Sequence, residues 1–160
     1  MATATRSADE RDESPLERAD RNTAELLQEL RVAGAGIQVL FGFLLIVPFN
    51  NRFGRLSSFD RYDYFVTLLC IAAAAVLLIS PTIHHRLLFR RHQKEYLVEI
   101  GNRVAIAGMA FLSVGMTGIL ILISDVMFGG VAAGIVGGSV ALLIGGLWFG
   151  APLARRRALR

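Results

Sequence analysis

Three groups of side chains in this sequence could do more than pack. The first is Gln38, a primary amide inside an apolar run from Val32 to Phe49. An amide in such surroundings must find a partner across helices or bear the cost of an unmade hydrogen bond. Gln38 is therefore a candidate for either a register-fixing hydrogen bond or a polar site. The second group is His84, His85 and His92, interleaved with Arg86, Arg90 and Arg91. Imidazoles bind metals and change charge near neutral pH. Adjacent histidines point to different faces of a helix, however, and no carboxylate or thiol stands at ligand spacing. The sequence thus assigns no metal, and contact with lipid headgroups is the expectation for this segment. The third group pairs Glu25 and Glu29, with Arg31 beside them, against the basic residues Arg86, Arg90, Arg91 and Lys94. If the acidic helix folds back on the basic segment, the two form a cytoplasmic cap. Each exposed ion pair contributes only about 0.2 to 1 kcal/mol, so such a cap would detach readily and serve as a gate or docking switch.

Other chemistry is missing. No serine, histidine and acid triad, no phosphate-binding loop, no paired intramembrane carboxylates and no metal-ligand cluster can be assembled from this sequence. Neither enzymatic activity nor a cofactor is expected. Cys70 is the only cysteine and lies in an apolar run, so it reads as a small buried hydrophobe. The net charge of +4 hides an asymmetry: residues 1–31 hold five Arg against eight acids, and the remainder holds twelve basic residues against five acids. The basic residues flank apolar runs, where anionic headgroups meet them, and no nucleic-acid reading module accompanies them. The expected partner is lipid, with no nucleic acid.

The elements that position these groups follow from the segregation of charge. Crossing a bilayer takes roughly 20 apolar residues at about 1.5 Å each. Four runs meet that length, at 32–49, 62–83, 104–123 and 131–150, and Asp63 is the only Asp, Glu, Lys or Arg within them. Being one residue inside its run, Asp63 is expected to reach the interface, which leaves no ionisable group at membrane depth. Backbone in lipid must satisfy its own hydrogen bonds, so the runs are helices. The predicted fold is all-α: an integral membrane four-helix bundle with an N-terminal amphipathic cytoplasmic helix. Residues 1–13 carry too little apolar mass to order themselves and are expected to be a disordered tail. Ser14, Pro15 and Glu17 form a capping-box start for an amphipathic helix over 14–31. That helix either continues into the first span or bends near Gly34 and Gly36. Residues 151–160 form a basic tail. Only Ser124 to Gly130 separate the third and fourth spans, which predicts a tight hairpin.

Lys and Arg collect on cytoplasmic flanks. Counted from Arg18 on, twelve fall on the side of the termini and three, Arg52, Arg55 and Arg61, on the other, so both termini are expected inside. Sixteen of the seventeen basic residues are Arg, a usage associated with GC-rich bacterial genomes, and the bacterial inner (plasma) membrane is the expected location. Spans associate in lipid by close fit, which small residues permit. Gly130, Gly134 and Gly138 make two GxxxG steps, Gly145 continues the face, and Gly101, Gly108 and Gly115 repeat every seven residues in the third span. The second set is expected to meet the first across the hairpin, with a homo-oligomer interface as the other use of these faces.

The segments Glu25-Leu26-Leu27-Gln28-Glu29-Leu30-Arg31-Val32, Gln38-Val39-Leu40-Phe41 with Pro48-Phe49, and Pro81 with His85-Arg86-Leu87-Leu88-Phe89-Arg90 carry a resemblance. Over roughly residues 14–123 the chain resembles an actinobacterial family of four-span membrane proteins of unknown function, some of whose members are labelled sodium:proton antiporter. That label implies exchange of cations and protons. The preferred reading is association with itself or with another envelope protein, and the alternative is a small transporter or channel formed by an oligomer, such as a sodium:proton antiporter. Convergence of Gln38, Thr67, Ser113, Thr117 and Ser139 on one water-accessible path would favour transport.

Overall fold

A computed structural model of the chain describes residues 15–88 and 94–158. The expected tail 1–13 and Arg90 lie outside these residues, as do the side chains of His85 and Arg86. Helix α1 (Pro15–Ile46) begins at the proline after Ser14, whose fixed φ suits a first helical turn. It passes through Gly34 and Gly36 without a break. The amphipathic segment and the first span are thus one helix, and the boundary at residue 31 marks a change of surroundings rather than of backbone. Glycine in a helix interior costs about 1 kcal/mol. In lipid that cost is outweighed, because the backbone there has no partner but itself. Leu30, Ile37 and Leu44, seven residues apart, are the buried seam of α1.

Pro48 ends α1 with a chemical consequence one turn earlier. Lacking an N–H, it leaves the Leu44 carbonyl without its helical donor. The Tyr64 hydroxyl, buried in the next helix, donates to that carbonyl at 2.9 Å, while the Tyr64 ring meets Phe53 edge-on at 5.2 Å between centroids. Tyr64→Phe keeps the ring and removes only the donor. It is expected to cost about 1 to 2 kcal/mol in detergent-based unfolding, the penalty for a carbonyl left unpaired.

Two short 3-10 turns (Val47–Phe49 and Phe53–Arg55) lead to α2 (Ser58–Leu88). Ser57 caps it reciprocally. Its hydroxyl oxygen accepts the Asp60 N–H at 3.0 Å, and Asp60 Oδ2 accepts the Ser57 N–H at 3.2 Å and the Ser57 hydroxyl at 2.8 Å. This cap starts the helix before Tyr62, where the apolar run begins. Pro81 is buried inside α2, which continues past it to Leu88.

Helix α3 (Lys94–Phe128) runs beyond its apolar stretch, so the hairpin expected over Ser124–Gly130 shrinks to one residue, Gly129, before α4 (Gly130–Ile144). The corner needs glycine. At φ 86° and ψ 171° any Cβ is strained, and the Gly129 N–H closes the end of α3 on Asp125 O at 2.9 Å. A π-helical turn (Gly145–Gly150) then joins α4 to α5 (Ala151–Ala158), so the basic tail is helical through Ala158.

Helices α2 and α3 form the central pair, α1 packs on both, and α4 packs chiefly on α3. Ile71 and Ala74 of α2 are 0% exposed, whereas Val131 and Leu142 of α4 are 82% and 79% exposed. Outward faces that apolar cannot stand in water, and four helical stretches (Leu27–Phe49, Ser58–His84, Ile100–Phe128 and Gly130–Ala158) are long and apolar enough to cross a bilayer. The chain is an all-α membrane protein, a four-helix bundle.

The glycine seams pack differently from the expectation. Gly108 and Gly115 face α2 and not the glycines across the hairpin: a Cβ on Gly108 would come to 2.7 Å from Leu78 Cγ, and one on Gly115 would strike Ile71. Gly101 is buried as well. Helix α4 meets α3 through Ala133, Gly137 and Ile144, and a Cβ on Gly137 would strike Ile121. One residue along a helix turns its side chain by about 100°. Gly134, Gly138 and Gly145 are therefore rotated off that face and have open space around them, while Gly130 has only Asp125 Oδ1 nearby, 3.5 Å from where its Cβ would be.

Candidate functional site

A groove of about 280 Å³ opens between α2, α3 and the end of α4. Asp63, Thr67, Ser113, Thr117 and Gly118 line it, with Phe149 of the π turn on its far side. Asp63 and Thr67 are one turn apart on α2 and so share a face. Gly118 lets them both in: a Cβ there would overlap the Thr67 hydroxyl and come to 3.5 Å from Asp63 Oδ1. On α3, the Ser113 hydroxyl donates to Ala110 O at 2.7 Å and the Thr117 hydroxyl donates to Ser113 O at 2.8 Å. Their protons are engaged by the backbone, so these hydroxyls show the groove only oxygen lone pairs. No basic side chain lines it.

Asp63 is the group left unprovided for. Its Oδ2 is fully buried and has no hydrogen-bond donor. The sequence expected Asp63 to reach the interface; it lies five residues from the end of its span, with one carboxylate oxygen turned into the bundle. Because Ser57 starts α2 at Ser58, Asp63 lies in the second turn and faces α3 and α4. From Phe128 at the Gly129 end, Ser113 is fifteen positions back along α3, on the order of 20 Å at helical rise. The groove thus reaches from the carboxylate toward mid-membrane.

One turn before Asp63, Asp60 is 6% exposed. Its Oδ2 serves the Ser57 cap, but Oδ1 is buried without a donor, and the Asp125 carboxyl at the end of α3 is near enough to Asp60 for the two to interact. Asp60, Asp63 and Asp125 all lie at the Gly129 end of the bundle. Arg61, nearby in sequence, turns away and donates from Nε and Nη2 to Leu56 O at 3.2 and 3.1 Å.

The residues singled out from the sequence are distributed elsewhere. Thr67, Ser113 and Thr117 share the groove, but Gln38 lines a separate one with Arg31, and Ser139 is exposed on α4. Glu25 and Glu29 are exposed, with Glu25 Oε1 3.8 Å from Arg21 Nε. The partners needed for the cap, Arg86, Arg90, Arg91 and Lys94, have side chains outside the described residues, as does His85. His84 is tied to its own helix, with Nδ1 2.8 Å from Ser80 O and 3.1 Å from Ser80 Oγ. Among the described residues no three His, Cys, Asp or Glu are grouped to hold a metal. Sequence reasoning does not single out Asp60, Asp125 or Gly118. Asp63 with Thr67 at a four-residue interval, together with Gly118 three residues after Gly115, is the signal that could have found the groove.

Residues 12–152 match the family described as "Family of unknown function (DUF6328)". The chain belongs to this family. The matched stretch takes in three of the four membrane-capable helices whole, the fourth as far as residue 152, and every residue of the carboxylate groove. No curated protein and no solved structure matches the chain.

Proposed function

We propose that this member of DUF6328 is a small cation-handling protein of the bacterial plasma membrane, with both termini cytoplasmic, in which Asp63 takes up a proton or Na⁺. The observation that carries this reading is the buried, donorless Asp63 Oδ2 beside a groove otherwise lined by hydroxyl oxygens and apolar groups. A buried carboxylate oxygen without a donor is expensive, and a cation or proton is what relieves it. The Ser113 and Thr117 oxygens would carry the path inward. The resemblance to proteins labelled sodium:proton antiporter supports the same chemistry, and the twelve-to-three distribution of Lys and Arg supports the topology. The protein acts without catalysis. The test is proton movement in proteoliposomes under an imposed Na⁺ gradient: Na⁺-dependent acidification or alkalinisation above that of empty vesicles is expected, and its absence across the pH range in which the protein stays folded refutes the reading.

A second reading, association with itself or with another envelope protein, is favoured by a different observation. Gly134, Gly138 and Gly145 present bare backbone with open space around it, which is the surface that lets two helices approach closely in lipid. On this reading Gly134→Leu with Gly138→Leu converts an oligomer to monomer in detergent, read by cross-linking and native mass spectrometry. An unchanged oligomer, or a wild-type monomer, counts against it.

A further inference from the structure

Helix α1 carries a second polar feature, on the opposite end of the bundle from the aspartates. Leu27, Arg31, Gly34, Ala35 and Gln38 form one stripe at helical spacing and, with Leu78, Ile79 and Thr82 of α2, line a groove of about 400 Å³. Both polar groups of the stripe need a partner. Arg31 is exposed and makes no ion pair among the described residues, and the sequence offers none on its own helix: Leu27 and Gln28 stand one turn before it, Gly34 and Ala35 one turn after. Gln38 is exposed too, with no hydrogen bond among the described residues, seven residues farther into the apolar run. That places it about 10 Å deeper than Arg31. An amide facing hydrocarbon must be paired by something that reaches it there.

We propose that this groove binds an anionic phospholipid. Arg31, at the wide polar end, takes the phosphate. Gln38, at the deep end of the stripe, donates its amide to an ester oxygen. Between Arg31 and Gln38, Gly34 and Ala35 hold the α1 surface low, so the glycerol region lies in the channel against Leu78 and Ile79 and the acyl chains continue past Gln38 toward the bilayer centre. The Arg31 end also belongs to the basic side of the protein, where Arg155, Arg156 and Arg157 of α5 are exposed. A neutral lipid would leave Arg31 unneutralised, so the headgroup charge is part of the assignment.

The test is native mass spectrometry of the intact chain in a neutral detergent, titrated with phosphatidylglycerol or with phosphatidylcholine of the same acyl chains. The wild type is expected to retain phosphatidylglycerol in preference to phosphatidylcholine. Arg31→Gln is expected to weaken phosphatidylglycerol retention about fivefold, the worth of one basic residue at an anionic surface, and to leave phosphatidylcholine unchanged. Gln38→Leu should weaken both lipids, Arg31→Lys should keep the preference, and Arg52→Gln, on the opposite side, should change neither. Equal retention of the two lipids by the wild type, or equal effects of Arg31→Gln and Arg52→Gln, overturns the proposal. A dimer that Arg31→Gln dissociates without changing lipid retention also overturns it, because the groove then holds a second copy of the chain. Circular dichroism of each variant separates loss of binding from loss of fold.

Discussion

Asp63→Asn is expected to reduce Na⁺-dependent proton flux in proteoliposomes to the level of empty vesicles while leaving the protein at least as stable as the wild type. The two halves of this expectation come from the same atom. Asp63 Oδ2 is buried and receives no donor, so as a carboxylate it is a stability burden that only a bound cation or proton relieves. The amide is nearly isosteric and removes the charge. Losing a charge-assisted contact of about 1.5 to 3 kcal/mol weakens cation binding roughly ten- to hundredfold, and transport that depends on that binding falls with it. Asp63→Glu retains the charge and should keep part of the flux. Thr67→Val and Thr117→Val should lower it without abolishing it, since each removes one oxygen from the groove. Gln38→Leu, in a different groove, should leave it unchanged. A residue with a purely structural role behaves the other way, losing stability and flux together. Wild-type flux from Asp63→Asn would remove the carboxylate from the mechanism.

Why four helices are legible in the sequence while the burial of this carboxylate is not is a matter of what each signal measures. Apolar runs report the solvent that a helix must face, and the near absence of charge in 32–49, 62–83, 104–123 and 131–150 leaves lipid as the only choice. They do not report where the backbone starts to be helical. The Ser57 to Asp60 capping box, a local signal of the same kind as the one at Ser14, sets the start of α2 at Ser58. Those few residues put Asp63 in the second turn of α2, on the face toward α3 and α4. The end of α3 shows the same effect, since helix continues through Asp125 to Phe128 and leaves Gly129 alone as the corner. Asp125 thereby reaches Asp60, a contact between residues far apart in sequence that no spacing rule announces.

The polar groups follow a related logic. A tyrosine near a span end is ordinary, so nothing in its own run announces what Tyr64 does. Its role depends on Pro48, which frees the Leu44 carbonyl four residues before it. The hydroxyl and that carbonyl meet only because α1 and α2 are antiparallel neighbours, which is a fact of packing and not of either helix alone.

Gly115→Val is expected to destabilise the bundle by about 1 to 3 kcal/mol, the usual cost of overpacking a filled interior, whereas Gly134→Val is expected to leave it within about 0.5 kcal/mol of the wild type, as for a surface change. Both residues are glycines in apolar helices, and the sequence assigns both to packing. The structure separates them. A Cβ on Gly115 would strike the Ile71 side chain, with Ile71 Cγ1 at 2.8 Å, and Ile71 is 0% exposed, so it has no empty space to move into. Around Gly134 there is nothing within 4 Å. The valine methyls add to the collision at the first site and meet only lipid at the second. Unfolding by denaturant titration in mixed micelles reads the difference. Ile71→Ala in the Gly115→Val background should recover part of the loss, because it removes the atoms in conflict, and a coupling energy between the two sites of at least about 0.5 kcal/mol is the mark of direct contact. Equal losses at Gly115 and Gly134 would mean that the glycines act through helix propensity alone and that the α2 to α3 contact at Ile71 is not where the bundle is held.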